Sequence, residues 1–236
     1  MTMTSRENFY ASFNHGKPER MLLDMGKQVG SLHKGAYVRL REHLGNLPKH
    51  NEVRILDRMA QNVVADEPLL ERLGIDFRWV VPHWVQVRER TDVDGYIDMW
   101  GVPFRGTANG EHYAVDGAPL KKATLDDLKT YAWPDTEDPA QFAGLREQAK
   151  HWFETTGYVI GADGIKAGPL MTALQMRGYE QFFMDLVIDP DFADALLEGI
   201  TVRLKRRRAD VLRREGAPLR AALETDCPEA KHPLRI

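Results

Sequence analysis

IDFRWVVPHW, residues 75–84, is the stretch that decides the fold class of this chain. Its central residues are apolar, β-branched or aromatic, which is typical of a strand buried in an α/β sheet. The strand ends at Pro82 and His83, and many α/β folds keep their chemistry at the carboxyl ends of parallel strands. His83 is therefore a candidate catalytic residue. The alternative is that its ring packs between Trp79 and Trp84 with one nitrogen bonded to the backbone.

Two other stretches predict buried strands, and helical patterns separate all three. These strands are RMLLDMG at 20–26 and YVIGAD at 158–163. Apolar spacing and capping residues predict helices at 4–16, 31–45, 53–64, 68–74, 124–132, 138–154, 170–187 and 189–216. Strands that alternate with helices in this order predict a parallel sheet with crossover helices.

Four short stretches after the second strand predict an antiparallel β-excursion. They are VQVRER at 85–90, GYIDMW at 95–100, VPFRG at 102–106 and EHYAVDG at 111–117. An Asn-Gly pair in TANGE, residues 107–111, predicts the tight turn between the last two.

Composition limits the classes of partner. The chain of 236 residues has 32 Lys and Arg against 35 Asp and Glu, so no global basic field favours nucleic acid or an anionic membrane. The single cysteine, Cys227, excludes an internal disulfide framework and a cysteine-rich zinc site. No apolar run is long enough to span a bilayer. We expect a cytoplasmic protein.

Five segments in sequence resemble the uroporphyrinogen decarboxylase superfamily, which includes cobalamin-linked methyltransferases that act on small methyl donors. The segments are TSRENFYASFNHGKPERMLLDMG, LLERLGIDFRWV, DMWGVPF, PLKKATLDDLKTYAWPDTEDPAQFAGLREQA and MRGYEQFFMDLVIDPDFADALL. The resemblance implies an α/β fold, a partial TIM (β/α)8-like barrel with the β-excursion after its second strand. Its active cleft is then expected at the carboxyl ends of the strands.

The end of the chain departs from this pattern. Residues 1–216 correspond to the N-terminal two-thirds of such a barrel, whereas APLRAALETDCPEAKHPLRI at 217–236 has no strand periodicity. We expect an aberrant tail that arises from a frameshift or an early stop, and the alternative is a genuine short variant. An open barrel leaves apolar faces in water, so we expect poor stability or a self-partner that covers the edge.

The family's motifs imply what the cleft can do. Decarboxylases of the family carry an arginine-bearing motif of the type RQAGR after the first strand, and MGKQVGS stands there with Lys27 as its only cation. Lys27 is therefore a candidate substrate-binding residue with a weaker hold on carboxylates than arginine. His83 occupies the place of the family's catalytic aspartate, and an imidazole supplies no fixed negative charge. Both departures argue against uroporphyrinogen decarboxylation.

The methyltransferase branch uses zinc to turn a substrate thiol into a thiolate, and its His-x-Cys and later Cys ligands lie beyond the end of this sequence. We therefore expect no metal site and no cofactor in this chain. Zinc and a corrinoid partner are expected only for a full-length, methyltransferase-like form.

Four further residues are site candidates, each with a structural alternative. Asp163, at the end of the third strand, is a catalytic candidate or an Asx turn. Asp24 is a substrate-binding candidate or a buried carboxylate paired with a helix amide. Trp100 lines the cleft or anchors the β-excursion to the barrel. Arg177 contacts an anion or forms a solvent-facing salt bridge.

The leading hypothesis for function is a uroporphyrinogen decarboxylase-like domain related to corrinoid-dependent methyltransferases. We expect the protein with this sequence to be incomplete or inactive. Its partners are then a small-molecule substrate and a corrinoid protein or a second copy. One alternative is a non-catalytic remnant or interaction module. The other is a decarboxylase of the porphyrin (heme) biosynthesis type with altered substrate contacts.

Overall fold

The computed structural model describes residues 2–26, 30–48, 52–83, 85–162 and 168–207. Together they form a mixed α/β structure. The helices are α1 (Ser5–Phe13), α2 (Lys34–Leu44), α3 (Glu67–Arg72), α4 (Leu125–Thr130), α5 (Leu145–Thr155), α6 (Pro169–Arg177), α7 (Tyr179–Ile188) and α8 (190–207). The strands are β1 (Ile55–Asp57), β2 (Asn62–Val63), β3 (Phe77–Val80), β4 (Arg88–Glu89), β5 (Gly95–Ile97), β6 (Pro103–Gly106), β7 (Tyr113–Val115) and β8 (Val159–Ala162).

Strands β3 and β8 form a parallel pair, which confirms two of the three predicted strands, although only half of β3 and one residue of β8 are fully buried. Their register runs from Phe77 opposite Val159 to Val80 opposite Ala162. One face of the pair is covered by α5 and the 3-10 turn before it, Pro139–Phe142, through a core cluster of Val80, Phe142, Leu145 and Ala149. Among the described residues the three sheets have two, two and four strands and none is closed, so a barrel stays a prediction.

The predicted strand at 20–26 is wrong, because this segment is held by a side chain instead of a strand ladder. The Asp76 amide donates to the Leu23 carbonyl at 2.9 Å, and the Leu23 amide donates to Asp76 Oδ2 at 2.8 Å. Ser5 Oγ donates to Asp76 Oδ1 at 2.5 Å, and both terminal nitrogens of Arg20 donate to the same carboxylate. The buried Asp76 thereby joins α1 and the 20–26 segment to the start of β3.

Asp76 makes the stability of this junction depend on pH. Burial opposes its ionisation, but hydrogen bonds from Arg20, Ser5 and the Leu23 amide outweigh burial and hold the pKa of Asp76 below its ordinary value of 3.8. The stabilisation is therefore complete above the unfolded pKa and is lost as the pH falls through the lower folded pKa. We expect Asp76→Asn to lower the free energy of unfolding by about 1–3 kcal/mol at neutral pH, with a smaller difference below pH of about 4.

Urea unfolding of both proteins at several pH values measures this dependence. The matched control is Asp126→Asn, which removes one negative charge from an exposed pair with Lys129. A wild-type-like unfolding free energy for Asp76→Asn at neutral pH would contradict the assigned role of Asp76.

The predicted helix at 53–64 is also wrong, because these residues form the β1–β2 hairpin. Asp57 Oδ1 accepts a hydrogen bond from the Met59 amide at 2.9 Å, which starts a turn, and Gln61 has a φ of +53°. Strand β2 is also bonded to a residue outside the hairpin, because the Val63 amide donates to the Leu32 carbonyl at 2.9 Å.

Glycines divide two of the predicted helices. The helix at 170–187 breaks at Gly178, which has a φ of +93° and ψ of 139°, so α6 and α7 are separate. The helix at 138–154 begins as a 3-10 turn, Pro139–Phe142, and restarts as α5 after Gly144, whose φ is +75°. Such positive φ values cost little only for glycine.

The remaining helices and strands predicted for the described region are present, with their ends shifted by a few residues. Thr4 caps α1, Thr124 and Asp127 form the predicted capping box of α4, α2 ends at Gly45, and β4–β7 form one antiparallel meander in sequence order. The largest core cluster joins this meander to α4, α6, α7 and α8. The predicted end of the last helix near residue 216 lies outside the described residues, and so does the 217–236 tail. No helix in the described ranges is both long and apolar enough to cross a bilayer.

Helices α6 and α7 leave a large apolar surface in contact with solvent. We call it the α6–α7 apolar surface, and its exposed members are Leu170, Met171, Tyr179, Phe183, Met184, Leu186, Val187 and Ile188. Exposed apolar side chains that cluster on a surface are typical of interaction sites.

Candidate functional site

The carboxyl ends of β3 and β8 lie at one edge of the parallel pair, and His83 is at this edge. The register ends at Val80 opposite Ala162, and His83 follows three residues after Val80. The predicted site residues Lys27 and Asp163 lie outside the described residues, and so does Trp84.

His83 is exposed, and the backbone fixes its position and tautomer. Its amide donates to the Gln141 carbonyl at 2.8 Å, and its ring Nε2 lies 3.1 Å from the Ala143 carbonyl oxygen. A carbonyl oxygen only accepts hydrogen bonds, so Nε2 carries the proton and a neutral ring keeps its lone pair on Nδ1. His83 can therefore accept a proton at Nδ1 while the 3-10 turn and Ala143 hold the ring.

Asp24 is linked to β3 through Trp79. The Trp79 indole N–H donates to Asp24 Oδ1 at 2.8 Å, and Asp24 itself is exposed. The alternative of a buried carboxylate paired with a helix amide is therefore wrong. The indole packs against Gly26 and Gly161, where an added Cβ would lie 2.6 and 2.4 Å from ring carbons of Trp79. Because neither glycine has a side chain, the Trp79 ring can pack on the face of the sheet opposite α5.

Arg54 also reaches this edge, although no sequence pattern marked it. The residue directly precedes β1, and its carbonyl accepts from the Val64 amide at 2.9 Å across the hairpin. Its Nη2 donates to the Val81 carbonyl at 3.2 Å, just beyond the β3–β8 register. Because 53–64 was predicted as a helix, the approach of this guanidinium to β3 could not be anticipated.

Trp100 belongs to a different part of the molecule. It is buried in the core cluster of the meander and α6–α8, and its carbonyl accepts from the Tyr131 hydroxyl at 2.7 Å. Its amide is bound by Asp98 Oδ1 at 2.9 Å. These contacts attach the meander to the segment after α4.

Arg177 lies in that same cluster and is buried. Its Nε donates to Asp185 Oδ2 at 2.6 Å, so the predicted ion pair is present. The pair is buried, however, and the expectation that it faces solvent is wrong. Its Nη1 donates to the Leu120 and Ala123 carbonyls at 2.6 and 2.8 Å. The guanidinium carbon also lies 3.9 Å from the centre of the Phe192 ring. These contacts tie α6 to α7, α8 and the chain before α4.

No zinc site is formed by the side chains that the structure describes. Within these ranges no three His, Cys, Asp or Glu side chains come together as a metal would require, and Cys227 falls outside them. The described residues therefore do not fit the zinc ion that the methyltransferase branch uses.

Comparisons with known proteins give a limited likeness. No family model and no curated protein sequence matches the chain. Among solved structures, a methyltransferase from Methanosarcina mazei is similar, with 14% identity and a TM-score of 0.45. The match covers 85% of this chain and 53% of that one, so this chain spans about half the length of the methyltransferase.

Proposed function

We propose that this chain is a uroporphyrinogen decarboxylase-like domain of the methyltransferase-like branch that binds a small substrate at the carboxyl ends of β3 and β8. The observation that best supports this proposal is the parallel pairing of the two strands, which places His83 at a shared edge. One of the five segments that resemble the family, LLERLGIDFRWV, contains β3 itself.

His83 acts in this proposal as a proton acceptor for a bound thiol or water. Its Nε2–H is held by the Ala143 carbonyl, so Nδ1 is the nitrogen that takes the proton. Methyl transfer in this branch also needs zinc ligands and a corrinoid carried by a partner protein, and neither belongs to the described residues. We therefore expect this chain to bind small substrates without turning them over.

The test is a titration of the isotope-labelled chain with mercaptoethanol and with methylcobalamin, alone and together, followed by amide NMR shifts. We expect shifts near Val81 and His83, and affinity lowered about tenfold in His83→Ala, since a hydrogen bond to the ligand is lost. The control is His151→Ala, which removes a histidine at the opposite end of the strand pair. His151 lies on α5 beside Gly157 and Tyr158, at the amino end of β8.

Two results would overturn the proposal. One is the absence of binding to either compound, and the other is equal binding by His83→Ala and the wild type. Methylated thiol in the mixture, measured by mass spectrometry with and without added Zn²⁺, would instead contradict the expectation of binding without turnover.

A second candidate function is an interaction module, and the α6–α7 apolar surface favours it. Eight large apolar side chains are exposed there. A second copy of the chain is the partner that we propose for this surface, and self-association of Phe183 variants, described in the Discussion, tests it.

A further inference from the structure

The chain that follows His83 is attached to the segment before α5 by a reciprocal pair of hydrogen bonds. Gln86 Nε2 donates to the Asp135 carbonyl at 2.8 Å, and the Asp135 amide donates to Gln86 Oε1 at 3.1 Å. One carboxamide thus bonds both backbone groups of Asp135. Backbone carbonyls of the same segment also bind His83, at Gln141 through its amide and at Ala143 through Nε2. The short stretch after β3 is therefore held at both His83 and Gln86.

The backbone of Gln86 indicates that these bonds maintain an unfavourable conformation. Its φ is +56°, in the left-handed region that residues with a side chain seldom adopt. Such conformations persist where neighbouring contacts enforce them, and they are found at functional sites. The two bonds to Asp135 supply such contacts. Gln86 is therefore held in position, although its side chain lies at the surface.

A second carboxamide meets the same carbonyl from the interior. Gln141, which is 0% exposed, donates from Nε2 to the Asp135 carbonyl at 3.3 Å. Its Oε1 is buried and has no hydrogen-bond partner within the described ranges. A buried acceptor without a partner destabilises a fold, and an apolar side chain of similar size would avoid this loss. Stability alone therefore does not account for an amide at this position.

We propose that Gln86 and Gln141 are positioning residues for His83, and that they act through the Asp135 carbonyl that they share. This inference rests on the proposed function and deepens it by naming the side chains that fix the proton acceptor. The shared carbonyl keeps the 3-10 turn and the stretch after β3 in one relative position. The Gln141 and Ala143 carbonyls then hold the His83 ring where a ligand at the edge of β3 and β8 meets Nδ1.

The first variant is Gln86→Ala, which removes both bonds to Asp135. We expect hydrogen exchange at the His83 amide to become about tenfold faster, because the stretch opens more often. The nitrogen NMR shifts of the ring, measured where the imidazole is neutral, should move from a pure Nε2–H form towards the average of the two tautomers. Titrations with mercaptoethanol and with methylcobalamin should show affinities about three- to tenfold lower than those of the wild type.

The second variant, Gln141→Met, separates positioning from stability. Methionine is close to glutamine in volume and has no amide, so the unused buried acceptor is removed. The free energy of unfolding from urea titration should equal or exceed that of the wild type. The His83 exchange rate, the ring shifts and the affinities should nevertheless change as they do in Gln86→Ala. A residue with a merely structural role would not give this combination.

Two further variants serve as controls. Gln61→Ala removes another glutamine of positive φ, +53°, whose Nε2 donates to the Arg58 carbonyl at 2.6 Å in the β1–β2 turn. It should leave the His83 signals and the affinities unchanged. Gln86→Glu keeps an acceptor for the Asp135 amide but has no donor for the carbonyl, so its values should fall between those of Gln86→Ala and the wild type.

Several results would overturn the positioning role. They are a wild-type ring that already mixes its tautomers, a His83 or affinity response that is missing from either Gln86→Ala or Gln141→Met, and an equal response in Gln61→Ala. The proposed function fails separately. Altered His83 signals in both variants, with no binding of mercaptoethanol or methylcobalamin by the wild type, would overturn the proposed function and keep the positioning role.

Discussion

Replacing Arg177 by leucine is expected to lower the free energy of unfolding by about 3–5 kcal/mol, because it leaves the buried Asp185 carboxylate without its partner. The Leu120 and Ala123 carbonyls lose their donor in the same step. Urea unfolding followed by circular dichroism measures the loss. Arg177 was a candidate for substrate binding, but it is buried in the core cluster. Titrations of any folded fraction with mercaptoethanol and methylcobalamin should therefore match those of the wild type.

The double variant Arg177→Leu with Asp185→Leu distinguishes a lost ion pair from lost packing. Removing both charges takes away the uncompensated carboxylate, so we expect the double variant to be more stable than Arg177→Leu alone. The control is Lys129→Ala in the exposed pair with Asp126, whose side chains are 71% and 86% exposed. It should change stability by about 0.5 kcal/mol or less. A similar small effect in Arg177→Leu would contradict the structural role.

Replacing two adjacent phenylalanines on α7 by alanine should lower the free energy of unfolding by very different amounts. Phe182 is 0% exposed in the largest core cluster, so Phe182→Ala should cost about 3–5 kcal/mol of unfolding free energy. Phe183 is 55% exposed on the α6–α7 apolar surface, and Phe183→Ala should change stability by about 0.5 kcal/mol or less in a monomer. Urea unfolding at low protein concentration compares the two.

Phe183 and Val187, both exposed on α7, test whether a second copy covers the α6–α7 apolar surface. Sedimentation velocity over a range of concentrations should show a dimer for the wild type and a shift towards monomer for Phe183→Ala and Val187→Ala. Lys150→Ala, an exposed change on α5, is the control. A wild-type chain that stays monomeric throughout would rule out self-association as the function of this surface.

The sequence predicted the elements whose signals are local. Thr4 and Thr124 mark capping boxes, Gly45 ends α2, and the Asn-Gly pair gives the β6–β7 turn, because each motif acts within a few residues. The β3 strand was recognisable because its apolar run is short and bounded by Gly74 and Pro82.

The errors came from contacts made far along the chain. Residues 53–64 carry Val53, Ile55 and Val63, whose β-branched side chains favour strands, but strand β2 is also held by a bond to the Leu32 carbonyl that no local pattern contains. Residues 20–26 are apolar enough for a strand, yet Asp76 takes the place of a neighbouring strand. Gly178 was visible in the sequence, but a single glycine does not always end a helix.

The candidate site was predictable only in part for the same reason. The place of His83 follows from the end of a strand, and the structure adds its Nε2 contact with Ala143. Arg54 could not be found, since it reaches β3 only through the hairpin. Arg177 looked available in the sequence because its partner Asp185 is reached across the break at Gly178.

The pairing of β3 with β8 also bears on how the chain folds. Between the two strands lie the complete β4–β7 meander, α4 and α5, so the contact closes a very long loop. Loop closure costs entropy that rises with length, and folding slows as contacts become less local. Helices and hairpins can therefore assemble early, whereas the edge that carries His83 exists only after the two distant strands have met.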